Sequence, residues 1–156
     1  MPIAATLKQY LKDQGVEYDV QTHLRTPSSS RSAQAAHVSG ERVAKAVVLH
    51  DAKGYVLAVI PATHRLELDT VQRLLDRRLN LASEGEIGEL FKDCDLGAVP
   101  AVGAAYGLDV ILDEILVGQP DVFFEGGDHS SLVHVGGQEF EKLMANARRG
   151  RFSHHV

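Results

Sequence analysis

Two apolar runs, VAKAVVLH at 43–50 and YVLAVIPA at 55–62, stand on either side of the polar tetrapeptide DAKG. Runs of this length, rich in β-branched residues and joined by a short glycine-containing turn, predict an antiparallel hairpin. Successive side chains on a strand face opposite ways, so Val43, Lys45, Val47 and Leu49 share one side. Lys45 therefore aims an ammonium group where valine and leucine point. It can be an edge lysine whose stem covers apolar surface while its head reaches water. It can instead stand in a cleft and offer one fixed positive charge to an anionic or carbonyl ligand, with partial desolvation lowering its pKa.

The flanking segments give the hairpin its company. Ile3, Leu7, Tyr10 and Leu11 recur at helical spacing ahead of Gly15, predicting a helix over 3–14. VEYDVQTHL alternates Val16, Tyr18 and Val20 as a half-buried strand, and a serine of RTPSSSRS caps a short helix through SAQAAHV that Gly40 ends. Asp69 with Gln72, and Ser83 with Glu86, have capping-box spacing before the helices TVQRLLDRRL and EIGELF. LDVILDE, DVFFEGG and SLVHV read as further strands, and QEFEKLMANA as a last helix with Phe140, Leu143 and Met144 on one face. Without strict βαβ alternation, this is an α+β fold with a mixed, partly closed β-sheet surrounded by helices. The chain of 156 residues suits one domain over 1–150. Its last stretch, RRGRFSHHV, reads as loose, with 151–156 as a tail outside the domain.

Composition removes several classes of function. The N-terminus lacks the pattern of a signal peptide, and no apolar run approaches the roughly 18 residues a membrane span needs. Cys94 is the only cysteine, so no internal disulfide forms and a reducing cytoplasm is the expected location. A formal net charge of −5 argues against a general nucleic-acid coat, though not against a small basic patch on the end of an RNA. The eight histidines show no HExxH spacing, so neither a metal nor a cofactor is expected. Asp93 and Asp95 would raise the pKa of Cys94 and make it a poor nucleophile. Arg73, Arg77 and Arg78 fall on one predicted helix, as a solvated face or as a contact for RNA phosphate.

Two glycine-rich loops are the other candidates for chemistry. GAVPAVG, Gly97 to Gly103, offers backbone N–H groups with little side-chain bulk, which can hold an oxyanion or a carbonyl oxygen; it can equally be a packed connection. EGGDHSS, Glu125 to Ser131, is a turn between strands or a site wall carrying His129. Neither has the spacing of a nucleotide-binding loop.

The order of these features resembles the YbaK/prolyl-tRNA synthetase-associated family of single-domain aminoacyl-tRNA deacylases. The matching pieces are KAVVL, LAVIPA, LASEGEI, DLGAVPAVG and DVFFEGGDHSSLVHV, from about Leu24 to Met144. The resemblance implies hydrolysis of the ester that joins a wrong amino acid to the 3′ end of a tRNA. It places the family's lysine on Lys45 and its Gly-x-x-Pro loop on Gly97 and Pro100, with Lys45 and Gly97 as catalytic groups. It places substrate contacts on Thr26, Pro100, Gly126, Gly127 and His129, and the site inside the curl of the sheet. The attacking water would be helped by the substrate's own ribose hydroxyl. The implied partner is the acceptor end of a mischarged tRNA, with a synthetase or an elongation factor beside it. A non-catalytic binding module of the same fold, and an unrelated protein-interaction domain, are the rival classes.

Overall fold

The computed structural model describes residues 3–23 and 29–156. Helix α1 (Ala5–Asp13) buries Leu7 and Leu11 and ends ahead of Gly15, whose φ of +64° supplies the left-handed residue. Strand β1 (Asp19–Thr22) and helix α2 (Ser29–Ala35) follow. The hairpin forms as expected: β2 (Val43–Asp51) pairs antiparallel with β3 (Gly54–Pro61), from Ala44 opposite Pro61 to Asp51 opposite Gly54. Asp51 accepts hydrogen bonds from the N–H groups of Lys53 and Gly54 and so closes the turn with its own side chain.

After a short strand β4 (His64–Leu66) comes α3 (Leu68–Leu75). The expected capping box of Asp69 with Gln72 is absent. The N-cap is Glu67, the helix ends four residues before Leu79, and the Gln72 amide donates to the Leu79 carbonyl at 2.7 Å to tie down the segment that follows. The second capping box is present: Ser83 and Glu86 satisfy each other's backbone N–H groups at the start of α4 (Glu84–Leu90), just after β5 (Asn80–Leu81). The remaining elements are β6 (Asp109–Asp113), β7 (Asp121–Glu125), β8 (Ser131–Gly136), α5 (Gly137–Leu143), β9 (Arg148–Gly150) and β10 (Ser153–His155).

The main sheet is mixed, in the order β1-β8-β7-β2-β3-β6-β9, with β2–β7, β3–β6 and β6–β9 parallel. One face of its first six strands converges on a single core with Leu7 and Leu11 of α1 and Phe140 and Leu143 of α5. Phe124 and Val133, Ala44 and Val48, Leu57 and Val59, and Leu112 line that face, so the sheet curls around the two helices. On the opposite face two smaller clusters form. One holds Val43, Ala33 and Phe123 beside α2, and the other holds Leu49, Ile60, Val71 and Phe152 beside α3.

The end of the chain departs from expectation. Residues 148–156 are not loose: β9 joins the main sheet, Phe152 is fully buried, and β10 pairs antiparallel with β4. A lone aromatic among polar residues has no periodicity, yet it fills a gap between α3 and the sheet.

Candidate functional site

Lys45 shares its side of β2 with Val43, Val47 and Leu49, as alternation requires. That side is the outer one, not the inside of the curl: Ala44 and Val48 enter the main core, while Val43 and Leu49 belong to the two outer clusters. Lys45 lies in the gap between those clusters, half-buried, above its cross-strand neighbour Ile60. Its Nζ donates to the His64 carbonyl at 2.7 Å. Burial first, and then the neighbouring positive charge of Arg65, hold its ammonium below the ordinary lysine value. Among the described residues no carboxylate pairs with it.

The edge of β2 that faces away from β3 is paired with β7 at Val43 and Ala44 and with β5 at Leu49 and His50. Between them, on that edge, Val48 accepts the Ala82 N–H, and Lys45–Val47, paired with β3 on the other edge, has no second strand partner among the described residues. A sheet edge left open within a buried strand is a ready place for an extended ligand. A hollow of about 230 Å³ sits there, walled by Ala46, Val47, Leu81, Ile87, Gly97 and Val99.

Gly97 has φ +81°, a conformation that favours glycine, and it is exposed, whereas Ala98 and Pro100 behind it are buried. The Ala98 N–H turns back to the Asp95 carbonyl, while the Gly97 and Val99 N–H groups find no acceptor among the described residues. Pro100, with Ala101 and Val102, roots the loop in the core and does not line the hollow.

His129 fixes that loop from behind. It is 8% exposed, and its Nε2 lies 2.6 Å from the carbonyl of Leu96, the residue before Gly97. A carbonyl only accepts, so Nε2 carries the proton. Gly126 and Gly127 bring His129 there. A Cβ at Gly126 would meet Ile3 at 2.8 Å, and one at Gly127, where φ is +111°, would meet Ala4 at 2.8 Å. The Gly126 carbonyl accepts the Ala4 N–H and the Gly127 carbonyl accepts the Asp95 N–H, each at 2.7 Å. These glycines weld three segments together and line neither hollow described here. Thr26 lies outside the described residues.

The structure thus joins Gly97 to His129 and places Lys45 on the adjoining stretch of β2, in a second hollow of about 440 Å³ that shares Val47 with the first. Sequence reasoning missed the wall of that second hollow, His64, Arg65 and His155, because β4 and β10 are three-residue strands. Arg77 is not available to phosphate: it makes a two-pronged pair with Asp51, at 2.8 and 2.6 Å. Cys94 is inert as expected, its thiol pushed up to about 12, with burial as the first cause and Asp93 and Asp95 adding to it.

Residues 23–143 match the model of the aminoacyl-tRNA editing domain. No curated protein sequence matches the chain. Among solved structures it is similar to a candidate trans-editing enzyme for prolyl tRNA synthetase, at 27% identity and a TM-score of 0.84, covering 99% of this chain and 98% of that one. A hypothetical protein at 22% identity has a TM-score of 0.82 over 96% of this chain and 99% of the other. In a candidate signal transduction protein from Marinobacter aquaeolei VT8, 19% identical with a TM-score of 0.79, the likeness spans 95% of this chain but 30% of the larger one. The last two share the fold. A family match over most of the length, together with the Gly97 loop and the lysine on an open strand edge, leads to one conclusion: the chain belongs to the aminoacyl-tRNA editing domain family.

Proposed function

We propose that the protein is an aminoacyl-tRNA deacylase that hydrolyses the ester of a mischarged tRNA in trans. The observation that carries this reading is that Gly97 and Val99, whose N–H groups have no acceptor among the described residues, both line a hollow beside the open edge of β2. In the proposed reaction water adds to the ester carbonyl, and the carbonyl oxygen gains negative charge next to those donors. The tetrahedral adduct then collapses, expelling the terminal ribose oxygen, which takes up a proton. The ester is already activated, so positioning and charge stabilisation supply most of what is needed. One aligned donor to such an oxyanion is worth about 3 kcal/mol. The substrate's own neighbouring hydroxyl serves as the relay for the water's proton, as the family resemblance implies. Lys45, held by the His64 carbonyl, keeps a positive charge beside the ribose-phosphate end. A separate editing protein answers a limit of synthetase pockets, because one methylene gives only about 1–3 kcal/mol of discrimination.

The test is a panel of mischarged tRNAs, beginning with the tRNA of the prolyl system that the 27% identical neighbour names. Free amino acid should be released at protein amounts far below the substrate. Lys45→Ala should keep the parent's circular dichroism and melting curve and lose on the order of a hundredfold in single-turnover rate, the scale of one removed electrostatic contact. Release from no member of the panel would favour a binding module. A Lys45→Ala rate within a few-fold of the parent would remove Lys45 from the chemistry.

A further inference from the structure

We infer that the hollow between Lys45 and the β4–β10 ribbon holds a backbone phosphate of the tRNA acceptor end, with Arg65 as the second cation of that site. The inference rests on the reading that this chain acts on aminoacyl-tRNA; Lys45 and Arg65 lie within the family's matched region, while one strand of the hollow's wall lies outside it. That region ends at residue 143, whereas β10 and His155 lie beyond it.

Lys45 and Arg65 line the same hollow, and among the described residues neither is in an ion pair. No aspartate or glutamate side chain lines that hollow. The nearby carboxylates are engaged elsewhere. Glu41 faces Thr63 Oγ1 at 2.8 Å, His155 Nε2 at 3.2 Å and His64 Nε2 at 3.4 Å. Glu67 faces Thr70 Oγ1 and His154 Nδ1, each at 3.1 Å. Like charges kept side by side repel, and Arg65 contributes to holding the Lys45 ammonium below its ordinary value. An anion between them removes that repulsion, and a phosphate offers acceptor oxygens to both heads.

The wall of the hollow is tied to the core by hydrogen bonds. Phe152 is fully buried, and its N–H donates to the buried Asp113 carboxylate at 3.1 Å. The Ser153 hydroxyl donates to the same carboxylate at 2.7 Å, leaving its oxygen to accept from His64 Nδ1 at 2.9 Å. That chain holds His64, whose carbonyl holds Lys45 Nζ. The register of β10 on β4 sets His154 opposite Arg65 and His155 opposite His64. An exposed arginine on a loose segment would be an ordinary solvated charge; Arg65 sits on a paired strand fixed to the core.

The two hollows lie within one nucleotide's reach of each other. Lys45 and Val47 are two residues apart on β2, about 7 Å along an extended chain. Val47 is shared by this hollow and the one beside Gly97. A single ribose bridges a terminal ester and the phosphate on its 5′ side over a comparable span, so one nucleotide can lie across Val47 with its two ends in the two hollows.

The experiment compares the parent, Arg65→Gln and Arg65→Lys in binding to uncharged tRNA from 50 to 200 mM salt. Arg65→Gln should weaken binding several-fold at the low-salt end and flatten the slope of log K against log salt by about 0.7–0.9, the loss of one phosphate contact. Arg65→Lys should keep the parent slope. Parent affinity and parent slope in a folded Arg65→Gln protein overturn the assignment. The two readings fail separately. Arg65-dependent tRNA binding with no ester hydrolysis keeps the phosphate site and ends the deacylase reading. Active deacylation that is indifferent to Arg65→Gln in rate, affinity and salt slope keeps the enzyme and ends the phosphate site.

Discussion

At the scale of single residues the site depends on where a backbone N–H points, and Gly97 is the sharpest probe of that. Its φ of +81° is a region L side chains rarely adopt, and it stands at the wall of the hollow. Gly97→Val adds a β-branched side chain at that spot, so both the local backbone path and the space for an ester should be lost. Misaligning one donor corresponds to about 3 kcal/mol, or on the order of a hundredfold in single-turnover deacylation. Affinity for uncharged tRNA should stay near the parent's, since the proposed phosphate contacts belong to Lys45 and Arg65. Parent rates in a folded Gly97→Val protein would make the loop a mere connection. The sequence alone left the Gly97 loop open between a carbonyl-holding loop and a packed connection, and the family resemblance singled out Gly97. Neither gave a means of separating Gly126 and Gly127, which pack against Ile3 and Ala4, from glycines that face a ligand.

At the scale of elements, the short terminal strands carry more than their length suggests. Phe152 is buried with Leu49, Ile60 and Val71, and Phe152→Ala removes a ring that nothing nearby can replace. Such a truncation costs about 3–5 kcal/mol, whereas a change in a loose tail stays within about 0.5 kcal/mol; a denaturant melt distinguishes the two. His134 on β8 is a second structural link, with Nδ1 2.7 Å from Asp19 on β1 and Nε2 2.7 Å from Asp121 on β7. Burial works against its charged form, but hydrogen bonds to the two carboxylates outweigh it and raise the pKa above 6.5. A raised histidine stabilises the fold fully below its unfolded value, and that contribution disappears as pH rises through the folded one. His134→Gln should therefore cost more at pH 6 than at pH 9 in urea melts, and an equal or larger cost at pH 9 would refute the link. The hairpin, α1, α5 and the Ser83 cap were legible in sequence because periodicity and local hydrogen bonding decide them. Strands β4, β5, β9 and β10 were not, because pairing across the fold decides elements of two or three residues. The face of Lys45 was also hidden: alternation shows which side chains travel together, while only the packing of α1 and α5 shows which side is inside.

At the scale of the whole molecule, a net charge of −5 sets how this protein can hold an RNA. Several cations are already spent internally: Arg77 on Asp51, Arg149 near Glu141 at 3.7 Å and Arg42 near Asp121 at 4.0 Å. A broad docking surface for the body of a tRNA would need many phosphate contacts from a chain whose acidic residues outnumber its basic ones. On the proposed reading the phosphate contacts are instead Lys45 and Arg65, which line the hollow adjoining the one beside Gly97. Recognition confined to the acceptor end follows, and it has a thermodynamic signature. Each neutralised phosphate contributes about −0.7 to −0.9 to the slope of log K against log salt. Two contacts give a slope of about −1.4 to −1.8, whereas six would give about −4 to −5. A minihelix carrying only the acceptor stem and its 3′ end should bind within a few-fold of full-length tRNA, with the same shallow slope. Filter binding or fluorescence anisotropy across a salt series measures both quantities. A slope steeper than about −4, or a minihelix more than tenfold weaker, would show that the protein grips the tRNA body and that the charge at Lys45 and Arg65 is only part of a larger surface.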